Sequence, residues 1–145
     1  MSARTSIRSA LRTRYLLDDA IPAIRQWEGQ RLDPKPADVY VRETCLFGPS
    51  SAESEGGQIE TVGVYQLDIT GPVGVNGAGL AALDAIAESA AAQFPIDARL
   101  AANGIAVEIT GVRTGPTLAL DAGRLTIPVS IQWRAFHANP SPVFA

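Results

Sequence analysis

The sequence predicts an α+β fold: a single, mainly antiparallel or mixed β-sheet of about four to five strands packed against a central helix, with a second helix at the N-terminus. Three observations predict it. From Gln58 to Thr70, Ile59, Tyr65, Leu67 and Ile69 share one parity, while Glu60, Gln66, Asp68 and Thr70 share the other. A period of two is the mark of a strand with one buried face. After a crossing rich in Gly and Pro (Gly71 to Gly77), the period changes to 3.6, and Leu80, Leu83, Ile86, Ala87, Ala90 and Phe94 fall on one stripe. That spacing is an amphipathic helix. Near the end of the chain, Leu125, Ile127, Val129, Ile131 and Trp133 alternate with polar residues, which predicts a long final strand. The two kinds of apolar face belong together, so Leu67, Ile69, Ile109, Ile127, Val129 and Ile131 should bury against Leu83, Ile86 and Phe94.

The elements follow in order. Ser2 to Leu17 reads as a helix with Ile7, Ala10, Leu11 and Tyr15 on one side and Arg4, Arg8 and Arg12 on another. Asp18 and Asp19 disfavour its continuation, because a helix C-terminus repels negative charge. Ala23 to Pro36 is less regular; Trp27 is a core or interface anchor, and Asp33-Pro34-Lys35-Pro36 is extended. Ala37 to Phe47 is a strand with Val39, Val41, Cys45 and Phe47 inward, which makes Cys45 a buried thiol. Gly48 to Gly57 reads as a long hairpin loop without a large apolar side chain, mobile in the isolated chain and either functional or inert. Asn76 is the expected N-cap of the central helix, and Pro95 ends it. Gly104 to Arg113 is a strand with Ile105, Val107 and Ile109 inward, and Thr117 to Leu120 is a short one. Asp121-Ala122-Gly123 is a tight turn into the final strand, where Pro128 requires a bulge or an unpaired side. Residues 137–145 read as a flexible tail to a single domain spanning 1–145.

Composition excludes more than it selects. With 46% hydrophobic and 19% charged residues the chain suits a globular domain, and no apolar run approaches the length needed to span a bilayer. No secretory signal is visible, and a net charge of −3 gives no general attraction to nucleic acid. A lone cysteine (Cys45) rules out an intrachain disulfide and a thiolate cluster; a lone histidine (His137) leaves no multi-His metal site, and its place near the expected flexible end argues against a His-based triad. The crossing from Gly71 to Gly79 lies where phosphate-binding loops occur, yet it lacks the Lys-Ser/Thr pair and its glycine spacing does not fit G-x-G-x-x-G. No catalytic, cofactor-binding or metal site is visible, which favours a structural or binding role. The arginine stripe reads in two ways, as a solvated helix face or as a contact for an acidic surface. In the second, Arg4, Arg8 and Arg12 with Glu53 and Glu55 of the long loop are candidate assembly residues between subunits.

Three stretches carry a resemblance. Tyr65 to Gly77 is a strand entering a Pro-x-Gly crossing before an Ala-rich helix; Ala92-Gln93-Phe94-Pro95 closes that helix; Ile127 to Ala135 places a Pro and a Trp in the last strand. In this order they resemble the tail terminator-like proteins of long-tailed bacteriophages. The resemblance implies a non-enzymatic virion protein without a cofactor. It further implies a ring, of six subunits in that family, at the head-proximal end of the tail. The ring caps the tail tube, ends its polymerisation and offers a surface to the head-tail connector or neck proteins. Its partners would be its own copies, the tail tube protein and a neck protein, with no membrane and no specific nucleic acid, although the genome passes through such a ring. Two other readings stand beside this one: a different neck or minor tail protein, and a small-molecule-binding or enzymatic α/β domain using the Gly-rich 71–79 loop.

Overall fold

A computed structural model describes residues 2–35, 37–52, 58–74, 77–120 and 123–138. The element order is α1 (Ala3–Tyr15), β1 (Ile24–Gln26), β2 (Tyr40–Ala52), β3 (Gln58–Pro72), α2 (Ala78–Ala92), β4 (Arg99–Ala102), β5 (Ile105–Thr114), β6 (Leu118–Leu120) and β7 (Arg124–Ala138). The fold is α+β, and its mixed sheet has seven strands in the order β1-β2-β3-β7-β5-β4, with β6 paired to β7. β1 runs parallel to β2 and every other pairing is antiparallel. The expected four to five strands omit β1 and β4. Strands of three and four residues are too short for a period of two to show.

The backbone of the sheet is the β3–β7 ladder, which runs from Gln58 opposite Ala138 to Pro72 opposite Arg124 without a register shift. Leu67 opposite Val129 and Ile69 opposite Ile127 turn toward the helices, and both pairs are buried. Ile109, Ile131 and Trp133 extend this layer, and Leu83, Ala87, Ala90 and Phe94 of α2 close over it. Ile86 lies at the margin, half-buried against the core. From α1, Ile7, Leu11 and Tyr15 complete the same core. One helix stripe and one sheet face thus meet as the two periodicities require.

Four local expectations differ from the structure. Ser2 caps α1 through a Thr5 N–H to Ser2 Oγ bond of 3.2 Å, but the helix proper ends at Tyr15, not Leu17. The N-cap of α2 is Gly77, with φ 76° and no side-chain cap; Asn76 lies outside the described residues. Gly48 to Ala52 belong to β2, not to a loop: the strand passes Pro49 by a register shift between Phe47 and Ser50 and pairs again up to Ala52 opposite Ile59. β1 covers only Tyr40 to Arg42, so Pro49 lies where the far edge of β2 has no neighbouring strand, and a missing N–H costs little there. Residues 53–57 of the expected loop are outside the described residues. Finally, His137 and Ala138, the first residues of the expected tail, continue β7 opposite Ile59 and Gln58; residues 139–145 are outside the description.

Pro128 occupies an interior strand without a bulge in the β3 ladder. β7 offers its other edge first to β6, as far as Thr126, and then to β5, from Val129 onward. Pro128 falls in the gap between them, where its carbonyl accepts Gly115 N–H at 2.8 Å. In an antiparallel ladder the N and O of one residue point to the same side, so the absent donor faces that gap.

Two substitutions test this core. Phe94→Ala should cost about 3–5 kcal/mol in chemical denaturation, because the ring is fully buried and packs against Tyr65 of β3. A Cβ at Gly63 would lie 2.2 Å from Leu46 O and 2.4 Å from Trp133 Cζ2. Gly63→Ala should therefore cost about 1–3 kcal/mol despite its size, as overpacked sites do. A loss below about 0.5 kcal/mol in either variant, the size of a surface effect, would contradict this packing.

Candidate functional site

The arginine stripe of α1 lies over the β1–β2 end of the sheet. Glu43 has the same parity in β2 as Val41 and Cys45, so its carboxylate turns into the apolar layer and is completely buried. An isolated ion cannot stay there, and the structure surrounds it with donors. Arg12 reaches it with Nε at 2.9 Å and with Nη2, Tyr65 donates its phenol, and Glu28 N–H donates at 3.1 Å. Burial by itself would raise the Glu43 carboxyl; hydrogen bonds from Arg12, Tyr65 and the Glu28 amide outweigh it and hold the group below its ordinary 4.5. The same pairing raises Arg12, and burial together with the Glu43 charge raises Tyr65.

A second pair lies beside the first. Arg8 Nη2 meets Glu28 Oε1 at 2.8 Å, and the other Glu28 oxygen accepts the Cys45 amide. β1 stops at Gln26, so the Glu28 side chain supplies the acceptor that a longer strand would have given Cys45. The Cys45 thiol is pushed up to about 12 by burial, then by the Glu28 and Glu43 charges, which leaves it unreactive. Arg12 also lies over the Trp27 ring, 5.0 Å from its centroid, and Trp27 meets Tyr15 edge-on at 6.4 Å. Arg4 stacks on Phe47 at 4.4 Å.

The candidate assembly residues therefore separate. Arg8 and Arg12 direct their charge into the chain, Arg4 is exposed above Phe47, and Glu53 and Glu55 lie outside the described residues. The sequence reading missed the inward Glu43 and the bracing role of Glu28. Parity was the available signal, since Glu43 falls between two inward residues.

Among the described residues, no group of three or more His, Cys, Asp or Glu side chains is placed to hold a metal ion, and no helix is long and apolar enough to cross a membrane. His137 Nε2 lies 2.9 Å from Thr61 Oγ1, which lies 2.8 Å from Ser50 Oγ, across adjacent strands. Gly71, Gly74 and Gly79 of the crossing have packing duties, while Gly77 supplies a positive φ. A Cβ on Gly79 would come within 2.0 Å of Pro72 O, and Gly79 N–H is taken by Val73 O at 2.9 Å. That amide is not offered to a phosphate.

Among the described residues, all but one of the exposed large apolar side chains gather at two places. Leu16, Leu17 and Ile96 follow the C-termini of α1 and α2; Leu118 and Leu120 lie on β6. Leu46 stands apart on the uncovered face of the sheet.

The described residues thus form a small α+β domain whose first helix is fastened by two Arg–Glu pairs and whose exposed large apolar side chains cluster at the helix ends and on β6. Residues 6–133 match the family model described as phage tail terminator protein, and the chain belongs to that family, a family of structural phage tail proteins. No curated protein matches the chain. One solved structure superposes with a TM-score of 0.70 at 22% identity, covering 93% of this chain and 96% of the other. A chain from the virion of a native gene transfer agent particle superposes with a TM-score of 0.62 at 14% identity, covering 94% and 98%. At those identities the two structures share the fold.

Glu43→Gln should lower stability at pH 7 by about 1–3 kcal/mol, the range for a buried partner left unsatisfied. A carboxyl held below its ordinary 4.5 contributes stability above that value and loses it as pH falls through its folded value. The gap between wild type and Glu43→Gln should therefore narrow under acid. Urea denaturation at pH 7 and pH 3 measures it; an equal gap at both would show that the Glu43 charge is not the stabilising element.

Proposed function

We propose that the protein forms a ring, of six subunits as in its family, that caps the head-proximal end of the phage tail tube. There it ends tube polymerisation and presents its outer surface to the neck proteins. Assembly takes place in the host cytoplasm, and the finished ring stays in the virion, open at its centre for the genome. The observation that carries this reading is the family match over residues 6–133, nearly the whole folded domain.

The fold supports the reading physically. A ring needs two different surfaces on each subunit that fit each other, and it needs a subunit rigid enough for the rotation to close. α1 is fastened by two Arg–Glu pairs, and Asp18, just beyond it, accepts Ser89 of α2. These bonds tie α1 to α2 and to the β1–β2 end of the sheet. The glycines that would serve a nucleotide loop serve backbone packing, which weighs against the small-molecule reading.

The test is tail length. Without this protein, assembling tails should overrun their normal length and fail to join heads. Purified protein added to growing tubes should stop extension and appear as a ring at one end by electron microscopy. Tails of normal length in its absence would assign the protein to another place in the neck or tail.

A further inference from the structure

The two exposed apolar patches lie at opposite ends of α2. At its C-terminal end, Arg14 Nε donates to Gln93 O at 2.7 Å, which brings the ends of α1 and α2 together. Leu16, Leu17 and Ile96 lie within three residues of that contact, with relative exposures of 46%, 63% and 61%. At the other end, Val73 N–H donates to Gly123 O at 2.9 Å, which ties the β6–β7 hairpin to the entrance of α2. Leu118 and Leu120 project there, 50% and 41% exposed. The fifteen residues of α2 separate the two patches by roughly 22 Å at 1.5 Å per residue.

Their charges differ in sign. The helix-end patch receives two helix C-termini, which carry partial negative charge, and the exposed carboxylates of Asp19 and Asp97. Arg14 and Arg25 at this end are half-buried and give their Nε atoms to the Gln93 and Pro22 carbonyls, and exposed Arg99, at the start of β4, stands opposite Glu108 in the neighbouring strand. Beside the hairpin patch, Arg124 pairs directly across from Leu120, and exposed Arg113 lies along the same edge of β7. Among the described residues no acid is bonded to either arginine, and the half-buried Arg124 has its Nε buried without a hydrogen-bond partner there; Asp121 of the turn lies outside the described residues. Each patch facing its own copy would set like charges against each other, whereas the two facing one another match in polarity and in apolar character.

We infer that the occupant of each patch is a second copy of this chain, joined head to tail, with Leu16, Leu17 and Ile96 of one subunit against Leu118 and Leu120 of the next. This rests on the ring reading and names the contact that builds it. Two different patches at opposite ends give a heterologous joint, the kind that propagates until a ring closes.

The test uses the only native thiol to advantage, since Cys45 is buried and silent. Leu17→Cys, Leu118→Cys and the double variant, each as the full chain, are treated with a short bis-maleimide, with and without tail tubes. Their oligomer sizes are measured in parallel by sedimentation. The double variant should give a ladder of linked chains ending at the ring number. Each single variant should stay unlinked, and an equal mixture of the two should give dimers and nothing longer. Dimers from a single variant alone would overturn the inference in favour of a symmetric contact. An oligomer that sediments normally but leaves the double variant unlinked would also overturn it, while the ring reading stands. Chains that remain monomeric with and without tubes would overturn the ring reading itself, and the inference with it.

Discussion

The constraint on which the rest depends is the register between β3 and β7. Each strand is fifteen residues long, and no bulge interrupts their pairing. A slip of one residue would turn Leu67, Ile69, Ile127, Val129, Ile131 and Trp133 to the wrong face, so the apolar alternation itself forbids it. The ladder also sets where space is needed. Gly63 stands directly opposite Trp133, and its missing side chain makes room for the indole. α2 then has one continuous apolar floor to lie on, and α1 fills the remainder.

The second organising feature is polar. Placing Glu43 in the apolar layer is costly, and a well-packed hydrophobe at that position would give comparable or greater stability. What the carboxylate adds is direction. It binds α1 through Arg12, the segment after β1 through the Glu28 amide, and β3 through Tyr65. Three elements distant in sequence are thereby oriented about one group. Apolar contacts alone would tolerate small rotations of α1, whereas a bidentate guanidinium–carboxylate pair does not. In the proposed ring, where each subunit would present two surfaces at a fixed angle, such directional fastening would suit the task.

Much of this was legible in the residues. The change of period between Thr70 and Ala78 located β3 and α2, and the alternation from Leu125 to Trp133 located β7 and the face it buries. What escaped was short or non-local. β1 is a strand because β2 lies beside it, and its three residues hold no pattern of their own. Gly48 to Ala52 have loop composition and are drawn into a strand by the β3 partner that continues opposite them. The arginine stripe was visible, but its partners were not, because Glu28 and Glu43 come from separate elements. The exposed Leu118 and Leu120 looked like ordinary strand residues until the sheet order showed that no helix covers them.

The gap at Pro128 has a consequence for cooperativity. β7 is one continuous strand, but the edge it offers is divided between β5 and β6, with Gly115 to Thr117 spanning the break. β6 is held by a three-residue ladder and buries none of its side chains, so its opening free energy is uncoupled from that of the core. Its amide hydrogens would exchange through local opening while those of β3 and β7 wait for global unfolding. The molecule thus combines a well-held core with one short, weakly held strand, and in the proposed ring small angular errors between subunits would be absorbed there instead of straining every subunit.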